Sequence, residues 1–179
     1  MSWTADTNHS EISFTTKHMG IFTVRGYFNK FEVQLNYDET NPEKSSVTAK
    51  IDASSINTNN EQRDGHLKSP DFFNVAEYPV LTFESTRVEV LSATTGKLHG
   101  NLTIRDVTKP VVLDVEFTGQ AKSPWGTISS GFIANGKIDR TQWGLTWNQA
   151  LETGGLLVGT EVGLHLELEA IKQAVAVPA

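Results

Sequence analysis

Apolar and polar side chains alternate with period two along most of this chain. Phe31, Val33, Leu35 and Tyr37 share one face, with Glu32, Gln34 and Asn36 on the other. Val47, Ala49, Ile51 and Ala53 alternate with Thr48, Lys50 and Asp52. Leu81 and Phe83 continue the theme, as do Leu98, Leu102 and Ile104, then Val111, Leu113, Val115 and Phe117, then Phe132, Ala134 and Ile138. The last run sets Val162, Leu164, Leu166 and Leu168 against Gly163, His165, Glu167 and Glu169. Successive side chains on a strand point to opposite faces, so each run reads as a strand covered on one side, the pattern of an antiparallel sheet. About eight strands are predicted, several of them long. A sheet of that size buries its apolar face by closing into a barrel or folding over as a sandwich, and closure also removes exposed edges.

Gly and Pro punctuate the runs at Thr94-Thr95-Gly96, Asp106-Val107-Thr108-Lys109-Pro110 and Ser123-Pro124-Trp125-Gly126, which read as turns. Asn135-Gly136 is a hairpin signal, but the alternation from Phe132 to Ile138 runs straight through it. It reads as strand interior with a bulge at Gly136.

The exception to the strand pattern is a polar insert over about residues 59–76. Asn59 or Asn60 can cap a short helix, with Glu61 in the favourable first turn. Ser69-Pro70 reads as a second helix start, a cap followed by proline at the first helical position. Phe72, Phe73 and Val75 give that second turn an apolar side, and adjacent aromatics there predict one ring pointing inward and the other partly exposed. The tail at 173–179 is small and uncommitted and reads as a frayed end or linker, leaving residues 1–172 as a single domain.

At 179 residues one domain with a sizeable core is the natural reading. The formal charge of −6 argues against nucleic acid or an anionic membrane surface as the main partner. Cysteine is absent, which excludes disulfides and thiolate metal sites. No apolar run approaches the ~20 residues that span a bilayer. The start, Met1-Ser2-Trp3-Thr4-Ala5-Asp6, has neither basic nor apolar character and does not read as a signal peptide. The expectation is a cytoplasmic protein, or the mature, periplasmic or secreted part of an exported one. An exposed face rich in Thr, Ser and Lys is compatible with a monomer or a homodimer.

Among the titratable residues, His9, His18, His66, His99 and His165 show no metal-ligand spacing, and no metal site is expected. His165 falls on the polar face of the last strand and His99 beside Gly100 near a turn, and both read as surface residues. His9 and His18 flank the first long strand and His66 sits in the insert. A nucleophile elbow and a phosphate-binding glycine loop are absent. Arg63 and Asp64 are adjacent on a helix and so point in different directions. They read first as anchors of the insert at the barrel rim. The second reading is an arginine facing a polar head group, for which its planar fork is suited. Trp143 and Trp147 flank Gly144-Leu145-Thr146 and suit a barrel end or a ligand entrance.

The insert carries Ser55-Ile56-x-Thr58-x₄-Arg63-Asp64-x-His66-Leu67-x-Ser69-x-Asp71-Phe72-Phe73, which resembles the signature of the YceI-like proteins. The likeness extends along the chain. Trp3-x₂-Asp6-x₂-His9-Ser10-x-Ile12-x-Phe14-x₃-His18 resembles the family's opening, and Val24-x-Gly26-x-Phe28-x₂-Phe31 its next segment. Further on come Tyr78-Pro79-x₂-Thr82-Phe83-x-Ser85, Gly100-Asn101-Leu102-Thr103-Ile104-x-Asp106-Val107-Thr108-Lys109-Pro110-Val111, Ile138-Asp139-Arg140-x₂-Trp143-Gly144 and Gly159-Thr160-Glu161-Val162. Two departures stand out. Arg105 occupies a position where the family has glycine, and the signal peptide that many relatives carry is not seen here. The resemblance implies an eight-stranded, antiparallel, lipocalin-like barrel with a small helical insert, holding a long-chain isoprenoid lipid of the polyprenyl phosphate or quinone type in an apolar tunnel. It implies a carrier or storage protein rather than an enzyme, with no catalytic cofactor.

The alternation supplies the expected tunnel wall: Ile12, Phe14, Phe31, Val33 and Ile51 from the first half, and Phe83, Leu102, Leu113, Val115, Phe132, Leu164 and Leu166 from the second. Phe72 and Phe73 are expected to close one end and Trp143 to border it, with His18, Arg63, Asp64 and His66 as head-group or rim candidates. Small inward residues, Ala49, Ala53, Gly100, Ala134 and Gly136, are expected to leave space along the axis. The alternatives are an enzyme acting on a lipid or sugar-like substrate with His9, His18 or His66 as acid/base, and a ligand-free structural or stress-associated barrel. Convergence of those histidines with a carboxylate would mark the enzyme.

Overall fold

The structure of the chain is a computed structural model that describes residues 1–174; the part of the expected tail from 175 onward lies outside the described residues. The first segment of the chain folds as β1 (Ser2–Ala5), β2 (Glu11–His18), β3 (Phe22–Phe28), β4 (Phe31–Asn36), β5 (Ser46–Asp52) and β6 (Ile56–Asn57). One helix follows, α1 (Glu61–Lys68). The rest forms β7 (Val80–Val90), β8 (Thr95–Ile104), β9 (Val107–Lys122), β10 (Ile128–Asp139) and β11 (Glu161–Lys172).

These segments form a closed eight-stranded antiparallel barrel. β1 pairs β4 while β2 pairs β3, and β4 pairs β5 while β3 pairs β6. The first six segments are thus three long strands, each interrupted once. The remaining strands pair in chain order, and β11 closes the ring by pairing both β1 and β2. The interruptions are stabilised locally. At the turn Thr7–His9, Asp6 accepts the Asn8 N–H, and at Ala53–Ser55, Asp52 accepts the Ser54 N–H. Each carboxylate thereby satisfies a backbone donor that the ladder gives up.

Asn135-Gly136 is strand interior, but Gly136 is regularly paired with Leu164 and holds no bulge. The irregularity lies between Gly131 and Phe132, opposite β9, where Thr118 is the additional residue between Phe117 and Gly119. A second falls between Ser85 and Arg87 in β7. It switches the inward face from the odd positions Leu81 and Phe83 to the even positions Val88 and Val90, because one extra residue reverses the parity of everything after it. Two turns are tighter than the punctuation predicted. Thr95 and Gly96 already belong to β8, and only Arg105 and Asp106 connect β8 to β9. Pro110 lies inside β9, where β8 flanks it and the β10 ladder has not begun, a place that tolerates a missing N–H. Arg105 takes φ 57, the left-handed region that favours glycine. Its side chain donates to the Phe72 carbonyl at 3.3 Å and lies over the Tyr78 ring, tying the hairpin to the insert.

The insert contains one helix, not two. The Asn60 side chain caps it by accepting from the Arg63 N–H at 2.9 Å. Ser69 ends it, with its N–H and its hydroxyl both donating to the His66 carbonyl. Ser69-Pro70 is therefore a stop, since proline commonly follows a helix terminus that it cannot extend, and residues 69–77 continue as turns.

Candidate functional site

The inward faces of the strands do not fill the barrel. A cavity of about 300 Å³ runs along the axis, within the range in which proteins hold small organic ligands. Its wall is apolar from strand after strand: Ile12 and Phe14 on β2, Val33 and Leu35 on β4, Ala49 and Ile51 on β5, Leu81 and Phe83 on β7, Leu102 on β8. Leu113 and Val115 on β9, Phe132 and Ala134 on β10, and Leu164 and Leu166 on β11 complete it.

Small residues shape this space differently from expectation. Ala49 and Ala134 line it, but Ala53 is fully buried in the turn after β5 and does not. At Gly100 a Cβ would overlap the Phe83 ring, and at Gly136 it would overlap Leu113. Gly26 stands in the same relation to Phe14. These glycines are recesses filled by neighbouring side chains, which lets the large lining residues lie against the wall.

One end is sealed by the insert and by the segment after β10. Leu67, Phe72 and Phe73 reach the cavity from the insert, and Arg140, Leu145 and Val158 from the segment after β10. Phe72 is buried and Phe73 half-buried, and both border the cavity, because they sit in a non-helical turn where adjacent side chains are not splayed by helical geometry. Phe73 packs edge-on against Phe28, and Phe72 packs against His66 and Trp147. Arg140, 5 % exposed, holds the 144–160 segment in place. Its guanidinium donates to four backbone carbonyls, those of Leu145, Trp147, Val158 and Gly159, at 2.6–3.3 Å. Burial lowers its pKa, partly offset by Asp139, and arginine stays charged under such a shift.

The other end opens between the segment Pro42–Ser46 and the β7–β8 turn, where Ser45, Ser46, Ser92, Thr94 and Thr95 supply hydroxyls. Lys97 lines this end and is paired with Asp114 at 3.2 Å. Among the described residues, Lys97 and Arg140 are the charged side chains on the lining.

Phe31 and Trp143, expected in the tunnel wall, lie elsewhere. Phe31 is buried but outside the lining, and Trp143 donates its indole N–H to the Leu102 carbonyl at 2.9 Å, bracing the segment after β10 against β8. The four rim candidates do not converge either. Arg63 and Asp64, expected to diverge, both grip Thr58. Arg63 donates from Nε and Nη2 to its hydroxyl and carbonyl, and the Asp64 carboxylate accepts its N–H and O–H. One residue can be held by two helical neighbours when its hydroxyl, N–H and C=O lie at the helix start. His66 pairs with Asp71 at 2.9 Å beside Trp147. His18 ends β2 at the surface, bridged to Val158. His9 pairs with Asp6 at 2.8 Å and lies 3.8 Å from Glu169. The hydrogen bond that His9 donates to the Asp6 carboxylate, then the charge of Asp6, raises the His9 pKa, and the same bond lowers that of Asp6. His99 is within β8 rather than at a turn, between Glu89 and Arg87. No histidine and no carboxylate lines the cavity among the described residues.

The sealing role of Arg140, Leu145 and Val158 escaped the alternation because these residues lie in an irregular segment. A buried arginine among backbone carbonyls leaves no periodic trace.

Comparison with known proteins adds the following. The model of the YceI-like domain matches residues 3–170. A UPF0312 protein of Staphylococcus aureus (strain N315) is 41 % identical over 169 residues, covering 94 % of this chain and 96 % of the relative. Among solved structures, BcnA of Burkholderia cenocepacia superposes with a TM-score of 0.81 at 22 % identity, covering 92 % of this chain and 98 % of that one. A Campylobacter jejuni YCEI protein gives 0.77 at 34 % identity, with 88 % and 90 % covered. A polyisoprenoid binding domain from Saccharophagus degradans gives 0.65 at 16 % identity, with 96 % and 98 % covered.

Proposed function

The chain belongs to the YceI-like family, and on that premise we propose that it binds a long-chain isoprenoid lipid in the barrel cavity and carries or stores it without chemical change. The observation that carries this reading is the composition of the cavity wall: predominantly apolar, with most of its hydroxyls at one end, its two charged side chains engaged by Asp114 and by backbone carbonyls, and no histidine or carboxylate. General acid/base chemistry needs a titratable group within reach of the substrate, and His9, His18 and His66 are held apart on the outside. The polyisoprenoid binding named for the Saccharophagus domain supports the ligand class.

Affinity needs no catalytic group. Burying about ten methylene-sized groups at ~0.8 kcal/mol each gives a gross term near ~8 kcal/mol before ordering costs. The test is organic extraction of the purified protein followed by mass spectrometry. A stoichiometric isoprenoid supports carriage. A lipid-free protein that also fails to take up an isoprenoid quinone or polyprenol from detergent removes the reading.

A further inference from the structure

We propose that the barrel end formed by the β2–β3 turn and the 144–160 segment docks on a phospholipid bilayer and is the portal for the apolar ligand; this rests on the lipid-binding reading above. Ile21 is 82 % exposed, Phe22 64 %, Leu156 47 % and Met19 45 %. Single exposed apolar residues need no explanation, but these four come from two segments stitched together. The Met19 N–H donates to the Leu157 carbonyl at 2.8 Å, and His18 bridges Val158. Phe22 also continues the inward face of Val24, Gly26 and Phe28, so it stands over the barrel end rather than beside it.

The inner side of the same two segments is cavity wall, through Thr16 and Val158. This is also the sealed end, so passage requires the 144–160 segment to part from β2 while Arg140 keeps its hold on it, and between those two segments lies a seam of few bonds. Besides the Met19 bond, it holds Gly159 N–H to Lys17 carbonyl at 2.8 Å and Thr16 hydroxyl to Gly159 carbonyl at 3.3 Å. A bilayer seated on the tip would face that seam directly, and a ligand could pass from acyl chains to cavity without crossing water.

Charge selects the occupant. The chain carries −6 overall, yet no carboxylate occurs between Ile12 and Phe31; Lys17 and His18 adjoin the turn and Arg25 lies three residues beyond Phe22, while the facing 144–160 segment carries one carboxylate, Glu152. Apolar side chains flanked by basic ones match a phosphate-bearing interface, where the former insert and the latter meet headgroups. The net charge still disfavours diffuse attraction to anionic surfaces, so insertion of Ile21 and Phe22 must supply most of the binding.

The test uses the full chain and flotation with mixed phosphatidylcholine–phosphatidylglycerol vesicles. The double variant Ile21→Ser, Phe22→Ser is compared with Trp125→Ser, which removes the 88 % exposed tryptophan of the β9–β10 turn at the opposite end. Wild type and Trp125→Ser are expected to float alike, and the double variant to bind at least ~10-fold more weakly, given the apolar area withdrawn. All three should melt alike and retain the same co-purified lipid, which separates loss of docking from failure of ligand binding. Equal flotation of the double variant, no flotation of wild type, or loss through Trp125→Ser overturns the proposal. So does a change from dimer to monomer in the double variant without vesicles, which would assign the tip to a second copy of this chain.

Discussion

At the insert end of the barrel, irregular chain is held over the cavity by charged side chains bonded to backbone: Arg140 to four carbonyls, Arg63 and Asp64 to Thr58, Arg105 to Phe72. At the hydroxyl-lined end the charged contacts are local or at the surface, Asp38 accepting from the Thr40 and Asn41 N–H groups and Glu39 from Lys172 and Gln120, and the opening is bounded by turns and by the half-buried rings of Tyr37, Phe117 and Phe132. The difference teaches where each kind of structure gets its stability. Strands and turns satisfy their own backbone or do so through a side chain a few residues away, so one end needs no buried charge. A loop laid across a cavity brings carbonyls with no ladder partner, and these require a buried multivalent donor.

Removing that donor should have the largest effect. Arg140→Ala withdraws the donor from four carbonyls, of which Val158 and Gly159 keep Asn148 and Thr16, and is expected to cost about 5 kcal/mol in urea unfolding. Arg140→Lys should recover only part, because a point charge cannot span the four acceptors. A small loss would mean that the insert end is not organised by this residue.

Aromatic truncation should separate the two ends next. Phe72→Ala, in a residue 5 % exposed, should cost about 3–4 kcal/mol and release bound lipid, whereas Phe117→Ala, half-buried, should cost about 1–2 kcal/mol. Equal costs by thermal melting and denaturant would erase the asymmetry.

A smaller effect is expected from Arg63→Ala, about 1–2 kcal/mol from lost bonds to Thr58. A polyprenol and a head-less hydrocarbon should then lose affinity alike. Selective loss of the headed ligand would restore a head-group role to Arg63.

The smallest effect lies at neither end. His9 is raised by Asp6, so its contribution is complete below the ordinary histidine value of 6.5 and fades as pH rises through the raised one. Asp6 is lowered, so its contribution holds above its ordinary value of 3.8 and fades as pH falls through the lowered one. The pair should therefore persist from mildly acidic pH to above 6.5. Proton NMR should show His9 titrating higher than in Asp6→Asn, while lipid retention stays flat across that range.

The wall of the barrel was legible because alternation is imposed by burial on one face, and Ile12, Val33, Leu102 and Leu164 follow it. Phe31 also follows it and is buried, yet it is off the lining although its cross-strand partner Ile51 is on it; alternation marks the buried face, not which buried side chain borders the space. The bulge positions were illegible: Thr86 and Thr118 resemble their neighbours, and a bulge is settled by how two strands meet. Ser69-Pro70 misled because the same dipeptide suits a helix start and the residues after a helix end. The closed end was least legible, since its order comes from Arg140 reaching carbonyls up to 19 residues away.

Pairing in chain order has a consequence for biosynthesis. Counted as eight barrel strands, with each interrupted strand taken as one, every ladder but the closing one joins strands consecutive along the chain, and these can form as the polypeptide emerges. Ring closure alone joins residues 3–15 to 163–172, so it waits until almost the whole chain is available. Until then the nascent sheet presents two unpaired edges and an apolar face that no partner covers, the condition in which aggregation competes with folding. A ribosome stalled after Asp139 would hold nearly all of the wall and no enclosed space.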